Sequence, residues 1–236
     1  MLTLTYLTIA TTVFLQTTTP DSTKYETRFD HDPNGIGKFY LGREIAYVMT
    51  HEGAGWLDRR ERDKEENPQK LVKALGLKKD EVVVDLGAGS GYYSLMMAPM
   101  VAKVIAVDIQ PEMLAIIDRK AKGSKISNIE LLLAKEQDPG LKPSSVDTIL
   151  LVDVYHELAY PREVTRKMIE ALKPGGRIVL VEFRLEDPEV PIKLVHKMSE
   201  KQVLREMKEF PELKPEPTIG ILPWQHVITV RKNRKD

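Results

Sequence analysis

Cysteine is absent from the 236 residues, which excludes disulfides, thiolate metal sites and a cysteine nucleophile together. Net charge is absent as well. Thirty-five Lys and Arg against 35 Asp and Glu balance to zero, so no overall field draws the chain to nucleic acid or to an anionic membrane, and only a local basic patch is compatible with such binding. No apolar run is long enough for a membrane span. The nearest approach is residues 1–19, where Leu2, Leu4, Leu7, Ile9, Val13, Phe14 and Leu15 are diluted by threonine and no Lys or Arg precedes Lys24. That stretch has half the core of an export signal and no positive start, and reads either as a weak export signal or loose anchor or as a disordered or peripherally packed tail.

What is present organises around one stretch, Val82-Val83-Val84-Asp85-Leu86-Gly87-Ala88-Gly89-Ser90-Gly91. Three β-branched residues lead into an acid and three alternating glycines, and Tyr92 to Met97 reads as a helix start. Strand, tight turn and helix follow directly. Glycines remove Cβ atoms where the chain reverses, so a ligand can approach bare backbone N–H groups near the positive end of a helix dipole. The bland alternative is a glycine turn without a ligand. A second apolar run, Val104 to Val107, ends in Asp108 about 20 residues past the first glycine, where an acid can bond both hydroxyls of a ribose. Asp108 reads equally as a strand-end acid before the helix that Gln110-Pro111-Glu112 announces.

Dinucleotide enzymes favour G-x-G-x-x-G, whereas this chain carries an acid followed by G-x-G-x-G. In that motif, and in the helix–Lys173-Pro174-Gly175-Gly176–strand unit, the chain resembles class I S-adenosylmethionine-dependent methyltransferases. The matching pieces span about residues 70 to 185. The segments Gly-Arg-Glu-Ile-Ala at 42–46, Val-Asp-Ile-Gln-Pro-Glu-Met at 107–113 and Leu-Pro-Trp-Gln-His at 222–226 look like a bacterial subgroup with no assigned substrate. The resemblance implies a Rossmann-like, doubly wound α/β domain at 68–236 with a seven-stranded, mostly parallel sheet and helices on both faces. It implies S-adenosylmethionine as cofactor, with Asp85 fixing the loop, Gly87, Gly89 and Gly91 admitting the methionine part, Asp108 holding the ribose, and Ala88 and Ile109 among the cofactor-binding residues. Glu136, in the loop after the third strand, is the candidate for the adenine amino group, and Asp153 ends the fourth strand beside the cofactor.

The remaining strands are read at Asn128 to Leu133, Val146 to Val152, Arg177 to Phe183, Leu213 to Pro217 and His226 to Val230, the sixth parallel and the seventh turning back. Val146 to Val152 is nearly unbroken apolar sequence, as expected for a strand buried on both faces. Its end, Asp153-Val154-Tyr155-His156-Glu157, lies beside the first strand at the switch in strand order. Tyr155 and His156 are therefore the expected catalytic residues, His156 as the base. No metal set is assigned, because Asp153, Glu182 and Asp187 are conceivable ligands without supporting spacing. His196 and the trio Trp224, Gln225 and His226 read equally as structural or as facing the pocket.

Residues 1–37 are expected to be a tail and linker. Residues 38–67 are expected to be a helical lid of two short helices, the first bringing Arg43, His51 or Trp56 near substrate and the second, Leu57 to Glu66, a solvated helix laced by opposite charges four apart. A helix after Pro68, another from Pro111 to Lys122, one opening at Pro161 and one capped by Ser199 complete the reading.

The function implied is methyl transfer to a small-molecule acceptor, with no nucleic-acid partner. The sequence lacks the Asn/Asp-Pro-Pro-aromatic tetrapeptide of amino-group methyltransferases acting on bases, and the thiol that pyrimidine C5 methyltransferases need. Because the methyl donor is made in the cytosol, a cytoplasmic location is favoured. The alternatives are a non-catalytic S-adenosylmethionine-binding regulatory or interaction protein, an NAD-dependent oxidoreductase, and an aminopropyltransferase, for which no acidic channel is visible.

Overall fold

A computed structural model describes residues 24–234, so the segment 1–19 read as a weak signal or tail lies outside the described residues. The main sheet has seven strands: β4 (Val82–Leu86), β5 (Lys103–Asp108), β6 (Ile129–Leu133), β7 (Val146–Val152), β8 (Leu172–Phe183), β9 (Leu213–Pro215) and β10 (Gln225–Lys232). Their spatial order is β6-β5-β4-β7-β8-β10-β9. The first five pair in parallel, and β10 runs antiparallel to both β8 and β9. The expected doubly wound, mostly parallel sheet is therefore what the chain forms, with the order reversing between β4 and β7.

Alternation along each strand splits the core into two layers. Val84, Leu86, Ile149, Leu151, Ile178 and Leu180 face one side, packed by Val164 and Met168 of α6 (Pro161–Ala171) and Val203 and Met207 of α7 (Glu200–Met207). Val83, Leu150, Val152, Val179 and Val181 face the other, covered by Leu71 and Leu75 of α3 (Pro68–Leu75) and Tyr93 and Met97 of α4 (Tyr92–Met97). On that second face α5 (Pro111–Gly123) sets Leu114 and Ile117 against Ala88 and Ala106. Ser199 caps α7, its side chain accepting the Gln202 backbone N–H at 3.1 Å. Lys173 to Gly176, expected to close α6, forms the irregular start of β8, where the pairing slips between Val146 and Thr148.

Residues before 68 depart most from the sequence reading. The expected linker and first lid helix hold a three-stranded antiparallel sheet, β1 (Tyr25–Thr27), β2 (Gly35–Tyr40) and β3 (Arg43–Ala46). Glu44 stabilises it with its carboxylate, which accepts the backbone N–H groups of Asp32 at 3.0 Å and Gly37 at 3.2 Å. The expected second helix is two short turns, α1 (Ala54–Leu57) and α2 (Arg62–Glu65). It is solvated on one side only, where Asp58, Arg60, Glu61, Asp63 and Lys64 are exposed. Arg62 and Glu66 are buried and joined at 2.6 Å, and Arg59 reaches the same Glu66 carboxylate rather than Asp63. Neither residue's charge could stay in this interior alone, which explains why the cations and the acid converge. No helix among the described residues is long and apolar enough to cross a membrane.

Candidate functional site

The carboxyl ends of β4, β5 and β7 open into a cleft of about 670 Å³, within the range of small-ligand sites. The glycine turn forms its floor at one end. Gly87 and Gly89 take φ of +72° and +52°, a region that side chains with a Cβ rarely occupy. Space is equally restrictive, since a Cβ on Gly87 would lie 2.5 Å from Val154 and one on Gly89 2.6 Å from Leu57. The turn is tied to β5: Gly87 and Ala88 donate their backbone N–H groups to the Val107 carbonyl.

Asp108 completes that tie. Its Oδ2 accepts the Gly89 N–H and its Oδ1 the Gln110 N–H, both at 2.9 Å. Burial raises its pKa against those stabilising bonds. A carboxylate has about four lone-pair sites, so both oxygens retain capacity for a further donor. Asp85 lies deeper, bonded to the Ser94 hydroxyl at 2.6 Å, and burial pushes its pKa up to about 6. It braces the turn from below and lines no part of the cleft. Ala88 and Gly91 likewise shape the turn without lining the cleft, whereas Gly87, Gly89, Asp108, Ile109, Glu136 and Asp153 line it. Ile109 is 40% exposed there, an apolar surface near Met113 and Ala134.

Asp153 ends β7 with φ of +54°. Its Oδ2 accepts from the Gln225 side chain at 2.7 Å, while its Oδ1 is buried and has no partner. Burial, with Glu66 and Glu182 nearby, holds its pKa well above the usual carboxylate range. An orphaned acceptor on a cleft wall is a place for a ligand donor. Gln225 thus acts through Asp153, and Trp224, Gln225 and His226 do not line the cleft.

The opposite end is built by two short 3₁₀ turns, Tyr155–Glu157 after β7 and Leu194–His196 after β8. His156 Nδ1 donates to the buried Glu182 carboxylate at 2.6 Å, and the other Glu182 oxygen accepts the Tyr155 N–H at 2.9 Å. This leaves His156 Nε2 directed at His196 Nδ1, 3.1 Å away. Burial works against a charge on His156, but the Glu182 carboxylate outweighs it and raises the pKa. Burial and the neighbouring His156 and Lys193 lower His196 to about 4, and burial lifts Glu157 to about 7. Tyr155 does not share this wall. Its ring is fully buried in the core, because the turn that sends His156 toward the cleft sends the preceding side chain inward, and the expectation that Tyr155 faces the acceptor is corrected accordingly.

A roof runs from Tyr47 to Leu57. Gln110 clamps it, its Nε2 donating to the Met49 carbonyl at 2.9 Å and its Oε1 accepting the His51 N–H at 2.8 Å, while Glu157 Oε2 accepts the Met49 N–H at 3.3 Å. Of the residues expected from the lid, Trp56 lines the cleft, and Arg43 turns away to Glu206 at 2.7 Å. His51 is exposed and outside the lining. Sequence reasoning passed over Gln110, whose one signal was its place between the strand-end acid and the helix-opening proline.

A family model described as a methyltransferase domain matches residues 77–230. A demethylmenaquinone methyltransferase of Clavibacter sepedonicus is 32% identical over 112 residues, covering 48% of this chain and 44% of that protein. A ubiquinone biosynthesis O-methyltransferase of Xanthomonas euvesicatoria is 29% identical over 98 residues, 42% of this chain and 41% of its own length. The chain thus matches less than half the length of these relatives. Among solved structures, a SAM dependent methyltransferase from Aquifex aeolicus superposes with a TM-score of 0.73 at 23% identity, over 78% of this chain and 100% of that one.

Proposed function

The chain belongs to the methyltransferase-domain family, with S-adenosylmethionine as its cofactor, and we propose that it methylates a small molecule held between the glycine turn and the His156 wall. One observation carries the reading: a single roofed cleft joins the Gly87–Gly89 backbone and Asp108 at one end to His156, Glu157 and His196 at the other.

The cleft fits the cofactor on its own features. The cradle at Gly87 and Gly89 has no room for a Cβ, Asp108 keeps acceptor capacity for sugar hydroxyls, and Asp153 Oδ1 offers an unpaired acceptor to an ammonium group. Arg62 lines the cleft as well, with its guanidinium already held by Glu66. Ile109, Met113 and Ala134 offer an apolar surface to a flat base, with Glu136 at its edge. When bound, S-adenosylmethionine supplies an electrophilic methyl group on a sulfonium. The residues around it need only align the acceptor, exclude water and accept a proton.

His156 is placed for the last task. Glu182 fixes its ring and tautomer through Nδ1 and leaves Nε2 on the cleft side. The roof from Tyr47 to Leu57 and the Pro191 to His196 loop enclose the acceptor end, which favours a small molecule over a macromolecular surface. Incubating the full chain with methyl-labelled S-adenosylmethionine and size-fractionated cell extract tests this. Label in the small-molecule fraction, lost in His156→Ala, is expected. Label only in protein or nucleic acid would overturn the acceptor class, and no label in any fraction would leave a cofactor-binding protein without transfer.

A further inference from the structure

Three lone-pair donors meet at one point of the cleft wall. His156 Nε2 and His196 Nδ1 are 3.1 Å apart, His196 Nδ1 and Glu157 Oε1 are 3.6 Å apart, and His156 Nε2 and Glu157 Oε1 are 3.9 Å apart. These side chains form the group among the described residues whose ligand atoms converge closely enough for an ion, and Asp153, Glu182 and Asp187 are not such a group. Metal bonds of about 2.0–2.2 Å at tetrahedral angles separate neighbouring ligands by about 3.3–3.5 Å. Side-chain movements of about half an ångström would bring all three atoms onto one ion.

The surroundings are those of a held ligand set. Glu182, fully buried, accepts a hydrogen bond from His156 Nδ1 and so favours the tautomer whose lone pair is on Nε2, which is the carboxylate–histidine arrangement that orients imidazole ligands and increases their basicity. Glu157 is anchored through its second oxygen by the Met49 N–H. His196 comes from a separate segment, 40 positions along the chain, and its ring stands edge-on to that of His156 with centroids 5.2 Å apart.

We propose that His156, Glu157 and His196 bind one divalent first-row transition-metal ion of the zinc class, with its remaining coordination open to the cleft. Two imidazoles and one carboxylate suit zinc and its neighbours, whereas magnesium and calcium take oxygen ligands. Three protein ligands and an open position are the pattern of catalytic rather than structural sites. Binding of the ion does not depend on the methyl-transfer reading. Where both hold, the ion occupies the His156 lone pair and becomes the group that activates the acceptor: an acceptor hydroxyl ligates it through oxygen and loses its proton to water.

Cobalt(II) titrated into the chelator-treated full chain provides the test. One equivalent should bind with the intense visible bands of a four- or five-coordinate ion, and zinc should displace it. His196→Ala, on the loop turn, and Glu157→Gln should each weaken cobalt binding at least about tenfold, and Glu182→Gln about 10–100-fold. His51→Ala, an exposed histidine outside the group, should leave binding unchanged, and an unaltered melting temperature for His196→Ala separates ligand loss from misfolding. No stoichiometric binding, weak octahedral bands, or bands that survive both His196→Ala and Glu157→Gln would overturn the site. Because the spectrum needs no methyl donor, its loss would leave the methyl-transfer reading standing, and failure of methyl transfer would leave the spectrum standing.

Discussion

Asp108 is where the competing readings of the cleft separate by measurement. In the free protein its two oxygens hold the Gly89 and Gln110 N–H groups at 2.9 Å, so Asp108→Ala removes a brace from the glycine turn as well as any hold on a sugar. The brace alone has a definite size. Two backbone donors lose a carboxylate acceptor, each worth about 1.5–3 kcal/mol when buried, but both lie on a cleft that water can re-enter, which brings the expected loss of unfolding free energy to about 1–3 kcal/mol. The sugar hold is a separate quantity. Two hydroxyls bonded to a buried carboxylate contribute about 2–4 kcal/mol, and their loss weakens the dissociation constant for S-adenosylmethionine about 30- to 1,000-fold. Calorimetric titration with S-adenosylmethionine measures the second, and urea unfolding without ligand measures the first. A variant that loses stability yet binds the cofactor as the native chain does would show that Asp108 only braces the turn, and the ribose assignment would fail.

Further expectations follow from the interior. Asp85 binds its proton more tightly folded (about 6) than unfolded (about 3.9), so its contribution to stability is greatest below about pH 4 and is lost as pH rises through about 6, by about 3 kcal/mol. Asp85→Asn, which can still accept from Ser94, should flatten the stability profile over that window in urea unfolding at several pH values, and an unchanged slope would refute the burial argument. Glu66 receives both Arg59 and Arg62 at 2.6 Å, so Glu66→Ala leaves Arg62 buried without its carboxylate and should cost about 3–5 kcal/mol. A loss below about 1 kcal/mol would mean that the pair is solvated after all. Gly91→Ala places a Cβ 2.8 Å from Ile117 at φ of +79° and should cost about 2–4 kcal/mol by adding left-handed strain to overpacking, measurable as a lowered melting temperature.

The main sheet was legible because its strands are short apolar runs bounded by glycine, proline and acids, and because burial on both faces leaves no other use for sequences such as Val146 to Val152. The sheet before it was not legible, for a local reason. β2 turns into β3 through Leu41 and Gly42, both at positive φ (47° and 86°), the two-residue turn that Asn-Gly or Asp-Gly usually announces. A leucine in that conformation gives no turn signal, and Phe39, Tyr40 and Ile45 then fit helical spacing as well as strand alternation. Charge spacing between Leu57 and Glu66 was equally ambiguous, since pairs four apart look alike on a wet helix and in a buried turn.

In the cleft, the residues nearest the glycine motif were legible because backbone geometry dictates residue type there. The far wall was not, because it is assembled from separate segments. His156 declared itself by its place after β7, but its meaning depends on Glu182, on the neighbouring strand, and on His196, in a loop whose course no local pattern fixes. Tyr155 illustrates the limit: one position from His156 in sequence, it lies on the other side of the turn in the core.

Amide hydrogen exchange with and without S-adenosylmethionine measures directly where the cofactor binds. Protection concentrated in the turn at 87–91 and at 108–110, with weaker protection along the roof at 47–57, is the expected result. Protection elsewhere, or none at saturating cofactor, would contradict the placement of S-adenosylmethionine in this cleft.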